Sequence, residues 1–118
     1  MNKEELIKRT AVFAHRCVKL GISLPKSILG KHIQGQLIRC STSVAANYRA
    51  AVLAQSDAAF TAKISIVLEE ADESVFWMEF INEEKLIKYD RVEQLLIEAN
   101  ELKAIFYSIR KTMKMKKS

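Results

Sequence analysis

Apolar residues recur along most of the chain at spacings of three and four, which is the pattern of amphipathic helices. The first such stretch predicts a helix over residues 3–20, with Gly21 as its C-terminal stop. Its apolar face would be formed by Leu6, Thr10, Phe13, Cys17 and Leu20. A second helix is predicted over residues 26–54, with Pro25 suited to its first turn.

The third stretch has the most regular repeat in the chain and predicts a helix over residues 57–82, with Ser56 as its N-cap. Its apolar line is Phe60, Ile64, Val67, Ala71, Ser74, Met78 and Ile81. A fourth helix is predicted over residues 91–111, with Asp90 as its N-cap. Four long helices joined by short connections predict an all-α fold, an antiparallel up-down-up-down four-helix bundle.

Helix 2 carries polar residues at positions that a 3.5-residue seam directs inward. That seam passes through Ile33, Leu37, Cys40, Val44, Asn47 and Ala51. A buried Asn47 needs hydrogen-bonding partners, because an unpaired buried polar group costs ~1–3 kcal/mol. We therefore expect a polar network between helices 2 and 3 that sets their register. Its members would be Arg39, Asn47, Arg49, Glu70 and Glu73.

The composition fits one ordinary globular domain: 118 residues, 49% apolar and 28% charged, with only three Gly and one Pro. The N-terminus lacks the build of a signal peptide, and no apolar run approaches the ~20 residues that span a bilayer. Cys17 and Cys40 fall on apolar faces, which favours buried free thiols in a reducing compartment. We expect a cytoplasmic protein without a membrane partner.

The sequence offers no set of residues for catalysis, a metal or another cofactor. Glu70 and Glu73 lie three residues apart, but a di-iron bundle needs Glu-x-x-His on two helices. Neither His15 nor His32 stands three residues after a Glu. Ser43 has no neighbouring base, and no glycine-rich phosphate loop is present. We therefore expect a protein that is not an enzyme.

The net charge is +5, but the basic and acidic residues are concentrated in different segments of the chain. Residues 1–56 carry nine Lys or Arg and two acids, residues 57–102 carry four and twelve, and residues 103–118 carry six and none. Such blocks are typical of a nucleic-acid-binding face, and also of complementary helices that pair within or between subunits. The sequence leaves both alternatives open.

Basic residues near the C-terminus are the strongest candidates for binding nucleic acid, because clustered cations neutralise phosphates without needing a rigid site. We expect a bundle over residues 1–111 followed by a frayed basic tail over residues 112–118. The candidate tail contacts are Arg110, Lys111, Lys114, Lys116 and Lys117, with Arg16, Lys19 and Lys31 as further contributors. A lysine-rich helix end also suits the helix dipole and solubility, and the residues do not decide between these interpretations.

Two runs carry a resemblance to a known family: Gln36-Leu-Ile-Arg-Cys-Ser-Thr-Ser-Val-Ala-Ala-Asn-Tyr-Arg-Ala-Ala and Glu69-Glu-Ala-Asp-Glu-Ser-Val-Phe-Trp-Met-Glu. Over nearly its whole length the chain resembles the four-helix-bundle proteins encoded within intervening sequences of 23S ribosomal RNA genes. Many of those proteins read Ile-Ala-Glu-Gly after the helix 2 Asn, where this chain has Tyr-Arg-Ala-Ala. Whatever role that Glu-Gly has cannot be transferred here.

The resemblance implies a bundle that commonly assembles as a ring-shaped homopentamer with a non-enzymatic role. A related branch resembles accessory proteins of diversity-generating retroelements, which engage nucleic acid and a reverse transcriptase. From residues and resemblance together we expect a non-catalytic homo-oligomer that binds RNA or DNA electrostatically. The alternative is a protein-interaction or structural oligomer, such as an accessory to a reverse transcriptase, that does not bind nucleic acid directly.

Overall fold

Four long α-helices run antiparallel in the computed structural model, which describes residues 1–116. They are α1 (Lys3–Ile22), α2 (Ile28–Val52), α3 (Asp57–Glu83) and α4 (Glu93–Lys116), with a short 3₁₀ helix at Tyr89–Arg91. Each helix packs along the next in sequence, and α1 and α4 close the bundle with the thinnest contact. The result is a rod of 47 × 23 × 20 Å, which confirms the predicted all-α four-helix bundle.

Three helices begin at polar caps. Asn2 and Glu5 form a reciprocal capping box at the start of α1. Ser27 and Ser56 accept backbone N–H bonds at the starts of α2 and α3, at 3.0 and 3.1 Å. The N-cap predicted at Ser56 is confirmed, whereas Pro25 does not open α2 and lies in the loop before Ser27.

Gly21 does not stop α1, because the helix continues to Ile22 and ends at Ser23. A Cβ at Gly21 would lie 3.3 Å from Ile38 Cγ1, so this glycine lets α1 and α2 approach closely. The left-handed residue that ends a helix occurs instead after α3, at Lys85 with φ 53°. The N–H of Leu86 donates to Ile81 O and that of Lys85 to Asn82 O, which is a Schellman motif.

Both predicted ends of helix 4 were wrong. Asp90 is not its N-cap, because Asp90 belongs to the 3₁₀ turn and α4 begins at Glu93. The helix also does not end at Lys111 but continues through the basic segment to Lys116. Within the described residues the expected tail is therefore a helical extension, and Lys117 lies outside them.

The buried apolar positions of α2 match the predicted seam at every position but one. They are Ile33, Leu37, Cys40, Val44, Tyr48 and Ala51. The predicted seam spans the same 18 residues from Ile33 to Ala51 in the same five steps, so the two sets differ only at the fifth position. Tyr48 therefore takes the inward position predicted for Asn47, and its ring contacts Phe106 with centroids 5.4 Å apart.

Side chains from all four helices fill one continuous core. Phe13 of α1 and Phe106 of α4 are its largest fully buried members. The apolar line predicted for helix 3 is buried from Ile64 to Ile81, while Phe60 at its start is half-buried. The core leaves polar and partly apolar side chains on the flanks of the helices, where the candidate functional surfaces lie.

Candidate functional site

Arg39 of α2 bridges two carboxylates on α3. Its guanidinium donates to Glu70 Oε2 at 2.9 Å and forms a second, short ion pair with Glu73. Trp77 Nε1 donates to the same Glu73 oxygen at 3.1 Å. Partial burial raises the pKa of Glu73, but the bonds from Arg39 and Trp77 outweigh it and leave that pKa below its ordinary value.

The other two members expected in this network lie elsewhere. Asn47 Nδ2 donates to Ser43 O at 3.0 Å and to Ser43 Oγ at 2.8 Å, so its partners are within α2 itself. Arg49 is exposed on the opposite flank, at a groove between α1 and α2. The prediction that they join Glu70 and Glu73 is wrong, because Asn47 bonds within α2 and Arg49 lies on the side of α2 that faces α1.

A second arginine cluster joins α1 to α4 and was not predicted from the sequence. Arg9 donates through Nε and Nη2 to the two oxygens of Glu98, at 2.8 and 2.7 Å, and through Nη2 to Glu101 at 2.7 Å. The bonds to Glu98 and Glu101 raise the pKa of Arg9 above its ordinary value. The spacing of Glu98 and Glu101 on one helix face was visible, but their partner depends on which helix faces α4.

Aromatic rings cover the flank of α3 beyond the Arg39 cluster. Trp77 contacts the rings of Phe76, Phe80 and His32 with centroids 4.9, 6.0 and 5.6 Å apart. Phe76 is half-exposed, and Ile66 is partly exposed earlier on the same helix. Helix α3 thus has apolar side chains on the surface of the subunit in addition to its buried face.

Small side chains form a groove between α1 and α2 on the opposite side of the bundle. Its lining includes Ala11, Ala14, Ala45 and Ala46, and its volume is about 370 Å³. His15 and Arg49 also line it, and none of the described residues that line it is acidic. The groove is apolar at its base and carries a cation at its edge.

The candidate phosphate-binding residues fall into two groups. Arg110, Lys111 and Lys114 line a shallow groove of about 270 Å³ on the last turns of α4. Lys116 follows them and lies 3.5 Å from Asp57 Oδ2, so it is partly neutralised.

The second group lies near the other end of the rod. Arg16 and Lys19 share a groove with Arg91, just before α4 begins, and Lys31 is exposed near the start of α2. Arg91 and Lys111 are about 20 residues apart in sequence, so the two groups are ~30 Å apart along the axis. They do not form one continuous patch.

Metal and thiol chemistry find little support in the geometry. In the part of the chain that the structure describes, no group of three or more His, Cys, Asp or Glu side chains converges as a metal site. Burial raises the pKa of Cys17 to about 12 and that of Cys40 to about 11. Both thiols are therefore protonated at neutral pH. No helix within residues 1–116 combines the length and apolar character needed to cross a bilayer.

Comparison with known families assigns the chain. The family model described as 23S rRNA-intervening sequence protein matches residues 2–108, which include all of α1, α2 and α3 and most of α4. The chain belongs to this family. The predicted resemblance is thereby confirmed.

A solved structure shares the fold of this 23S rRNA-intervening sequence protein family member. It is the crystal structure of a protein with unknown function from the S23 ribosomal protein family of Bacteroides thetaiotaomicron VPI-5482. The two chains are 30% identical and superpose with a TM-score of 0.80, over 89% of this chain and 97% of the other. No curated protein matches the sequence significantly.

The family match ends close to the point where the basic segment of α4 begins. It covers both arginine clusters and the aromatic flank but stops at residue 108. Arg110, Lys111, Lys114 and Lys116 lie beyond it. The family assignment therefore fixes the bundle and says nothing about the most basic part of this chain.

Proposed function

We propose that this protein is a non-catalytic bundle subunit that binds RNA or DNA through its phosphates, using the last turns of α4. The observation that carries the proposal is the groove formed by Arg110, Lys111 and Lys114, which no acidic side chain lines among the described residues. A groove that is lined by several cations attracts phosphate electrostatically. Lys116 and Lys117 extend the same basic segment.

The ion pairs of the bundle support the assignment of phosphate binding to the last turns of α4. Arg9 and Arg39, the arginines with the strongest carboxylate contacts, hold α1 to α4 and α2 to α3. On α4 itself the last acidic residue is Glu101, so every charged residue from Lys103 onward is basic. Lys103 pairs with Asp72 at 2.7 Å, and Lys116 lies 3.5 Å from Asp57. Acids thus stabilise the middle of the bundle and leave its C-terminal end cationic.

The group formed by Arg16, Lys19 and Lys31 is a secondary contact in this proposal. Its separation of ~30 Å from the α4 group exceeds the Debye length of about 8–10 Å, so the two groups act independently in one subunit. A strand would reach both only by running along the rod or across neighbouring subunits. Binding should therefore depend first on α4.

A binding experiment on substituted proteins tests the proposal. The triple variant Arg110→Gln, Lys111→Gln and Lys114→Gln is compared with wild type in fluorescence anisotropy on a labelled RNA across a salt series. Wild-type affinity should fall linearly with salt on logarithmic axes, with a slope of about −0.7 to −0.9 per phosphate contacted. The variant should bind at least about tenfold more weakly, with a slope shallower by roughly 2.

A matched control separates position from net charge. Lys8→Gln, Lys26→Gln and Lys88→Gln together remove the same charge from exposed positions outside the groove. This protein should keep most of the wild-type affinity. Equal losses in both triple variants would show that only overall charge matters, and unchanged binding in the α4 variant would refute the assignment.

Self-association is the second part of the proposal. The half-exposed aromatic flank of α3 carries Phe76 among acidic residues, and the α1–α2 groove is apolar with Arg49 at its edge. These two faces are complementary in charge and lie on different sides of the subunit, so their contact would be heterologous and could close a ring. The family resemblance implies a homopentamer.

The alternative function is a protein-interaction or structural oligomer, such as an accessory to a reverse transcriptase, in which these faces serve assembly and no nucleic acid binds. Light scattering of the pure protein, with and without RNA across a salt series, distinguishes the two. A ring of constant mass that never retains RNA at physiological salt favours the alternative. A mass increase with RNA that disappears at high salt favours nucleic-acid binding. The two buried free thiols fit the cytoplasmic location that we propose for either function.

A further inference from the structure

Tyr107 is an exposed aromatic residue within the cationic face of α4. About half of its side chain is open to solvent (53%). It makes no ring contact or side-chain hydrogen bond with other described residues, unlike Trp77 and Tyr48. The packing of the bundle therefore does not explain its position.

The cations surround this ring at helical spacing. Arg110, Lys111 and Lys114 follow Tyr107 by three, four and seven residues, so all four lie on one face of α4. They line the same groove, which Met115 completes. Tyr107 and Arg110 also line a wider groove toward α3, of about 670 Å³.

The two grooves differ in their charge. The wider groove includes the carboxylates of Glu69 and Asp72, which repel phosphate, although Asp72 is paired with Lys103. Within residues 1–116, the narrow groove is lined by Tyr107, Met115 and three cations. A polyanion should therefore bind along the narrow groove. Tyr107 lies at the end of this groove that is nearer the N-terminus of α4.

An aromatic ring within a cationic groove distinguishes unpaired from paired nucleic acid. Phosphate contacts are available on any strand, but a base can stack on a side chain only when its own face is uncovered. In a duplex the neighbouring base pairs cover those faces. Stacking of one base strengthens binding by roughly five- to 150-fold.

We propose that this face of α4 binds single-stranded RNA or DNA, with one base stacked on Tyr107 and the flanking phosphates on Arg110 and Lys111. The inference rests on the proposed nucleic-acid function and adds a preference for unpaired strands. Phosphate contacts alone would not give that preference.

Anisotropy titrations of wild type and three variants test the inference. The probes are a labelled oligouridine of about twelve nucleotides and an RNA duplex of equal length, at one salt concentration. Wild type should bind the single strand roughly tenfold more tightly than the duplex. Tyr107→Leu should weaken single-strand binding by about five- to tenfold and leave duplex binding unchanged, whereas Tyr107→Phe should retain the preference because it keeps the ring.

Tyr89→Leu is the matched control, because Tyr89 is equally exposed (53%) but lies on the 3₁₀ helix, before α4 begins. It should not change either affinity. The thermal midpoints of all variants should remain near that of wild type, since both tyrosines are surface residues.

The outcomes separate this inference from the proposed function. Equal affinity for single strand and duplex, with no effect of Tyr107→Leu, would overturn the stacking role and leave phosphate binding intact. A loss in Tyr107→Phe as large as that in Tyr107→Leu would also overturn it, because the ring is retained. Absence of binding to either probe at low salt would refute the proposed function itself.

Discussion

Gly30 and Gly35 both lie inside α2, but their surroundings are opposite. A Cβ at Gly30 would overlap the carbonyl oxygen of Pro25 and lie 2.9 Å from its carbonyl carbon, whereas a Cβ at Gly35 would meet no atom within 4 Å. Gly30 is thus required by the loop that folds over the start of α2. Gly35 has no such role and only weakens the helix.

These surroundings predict opposite effects of the same substitution. Gly30→Ala should destabilise the protein by about 2–3 kcal/mol, because the loop backbone must move. Gly35→Ala should stabilise it by up to ~1 kcal/mol, through helix propensity. Urea unfolding followed by circular dichroism measures both. Similar changes of one sign would show that the loop does not press on Gly30.

The carboxylate of Glu73 predicts a pH dependence. Because its pKa is lowered in the folded protein, the Arg39–Glu73 pair contributes stability above the unfolded pKa of ~4.3, and that contribution is lost as the pH falls through the folded value. Both side chains are partly exposed, so the contribution is at most about 1 kcal/mol. Glu73→Gln should therefore be less stable than wild type at pH 7, with a smaller difference near pH 4.

Glu79→Gln is the control for this pH profile. Glu79 is exposed on the same helix and forms no ion pair with other residues of the described chain. Its removal should leave the pH dependence of the unfolding free energy nearly unchanged. A profile shifted equally by both substitutions would contradict the role of the Arg39 pair.

The residues Asn47 and Tyr48 show what a repeat can and cannot predict. The spacing of apolar residues placed the inward face of helix 2 correctly at every position except Asn47. After Val44, a step of three and a step of four residues both fit a period of 3.6, so spacing alone does not choose between Asn47 and Tyr48. A tyrosine, with its large apolar ring, takes the core position, and the asparagine bonds to its own helix.

Among the contacts between helices, the one between α1 and α4 depends most on a single side chain. Their contact is the thinnest in the bundle, and Arg9 connects them through Glu98 and Glu101. Glu98 is the less exposed of the two carboxylates, so the loss of Arg9 would leave it without its partner.

Arg9→Met should therefore destabilise the protein by about 1 kcal/mol, after allowance for screening by water. Amide hydrogen exchange should accelerate in α1 and α4 more than in α2 and α3. Arg16→Met on the same helix is the control, and should change stability by less than ~0.5 kcal/mol. Uniform acceleration across all four helices would show that Arg9 does not act locally.

The ends of the helices were harder to predict than their existence. Gly21 looked like a stop signal because glycine favours left-handed caps, but close packing on Ile38 uses it inside α1. Lys85 adopts the left-handed conformation instead, where no glycine marked it. Packing against the neighbouring helix decides between competing local signals of this kind. The pattern of a single sequence does not show that packing.

At the scale of the whole molecule, the two thiols report global unfolding. Cys17 and Cys40 are fully buried, and burial raises the pKa of each well above neutrality. A thiol reagent should therefore label the native protein only as fast as the bundle opens, and label it rapidly in urea. Gly30→Ala should increase the native labelling rate. Fast labelling of stable wild type would show that one helix opens separately.

Only the tertiary structure shows which of the segregated charges pair with each other. Arg9, Arg39 and Lys103 each pair with carboxylates from the acidic middle of the chain, so complementary pairing within the subunit is real. Among the described residues, the groove that Arg110, Lys111 and Lys114 line has no acidic side chain in its lining. Pairing within the subunit therefore accounts for part of the segregated charge, and the proposed nucleic-acid binding concerns the remaining cations of α4.

The sequence by itself determined four amphipathic helices, their order and their antiparallel packing, because periodicity and scarce breakers are local properties of the chain. It also determined the family, through motifs in helices 2 and 3. Only the tertiary structure decided which of Asn47 and Tyr48 is buried, which acids meet Arg9, and that α4 continues through Lys114 to Lys116. These depend on the rotation of each helix about its axis and on contacts between distant segments, where a one-residue shift of ~100° changes the outcome.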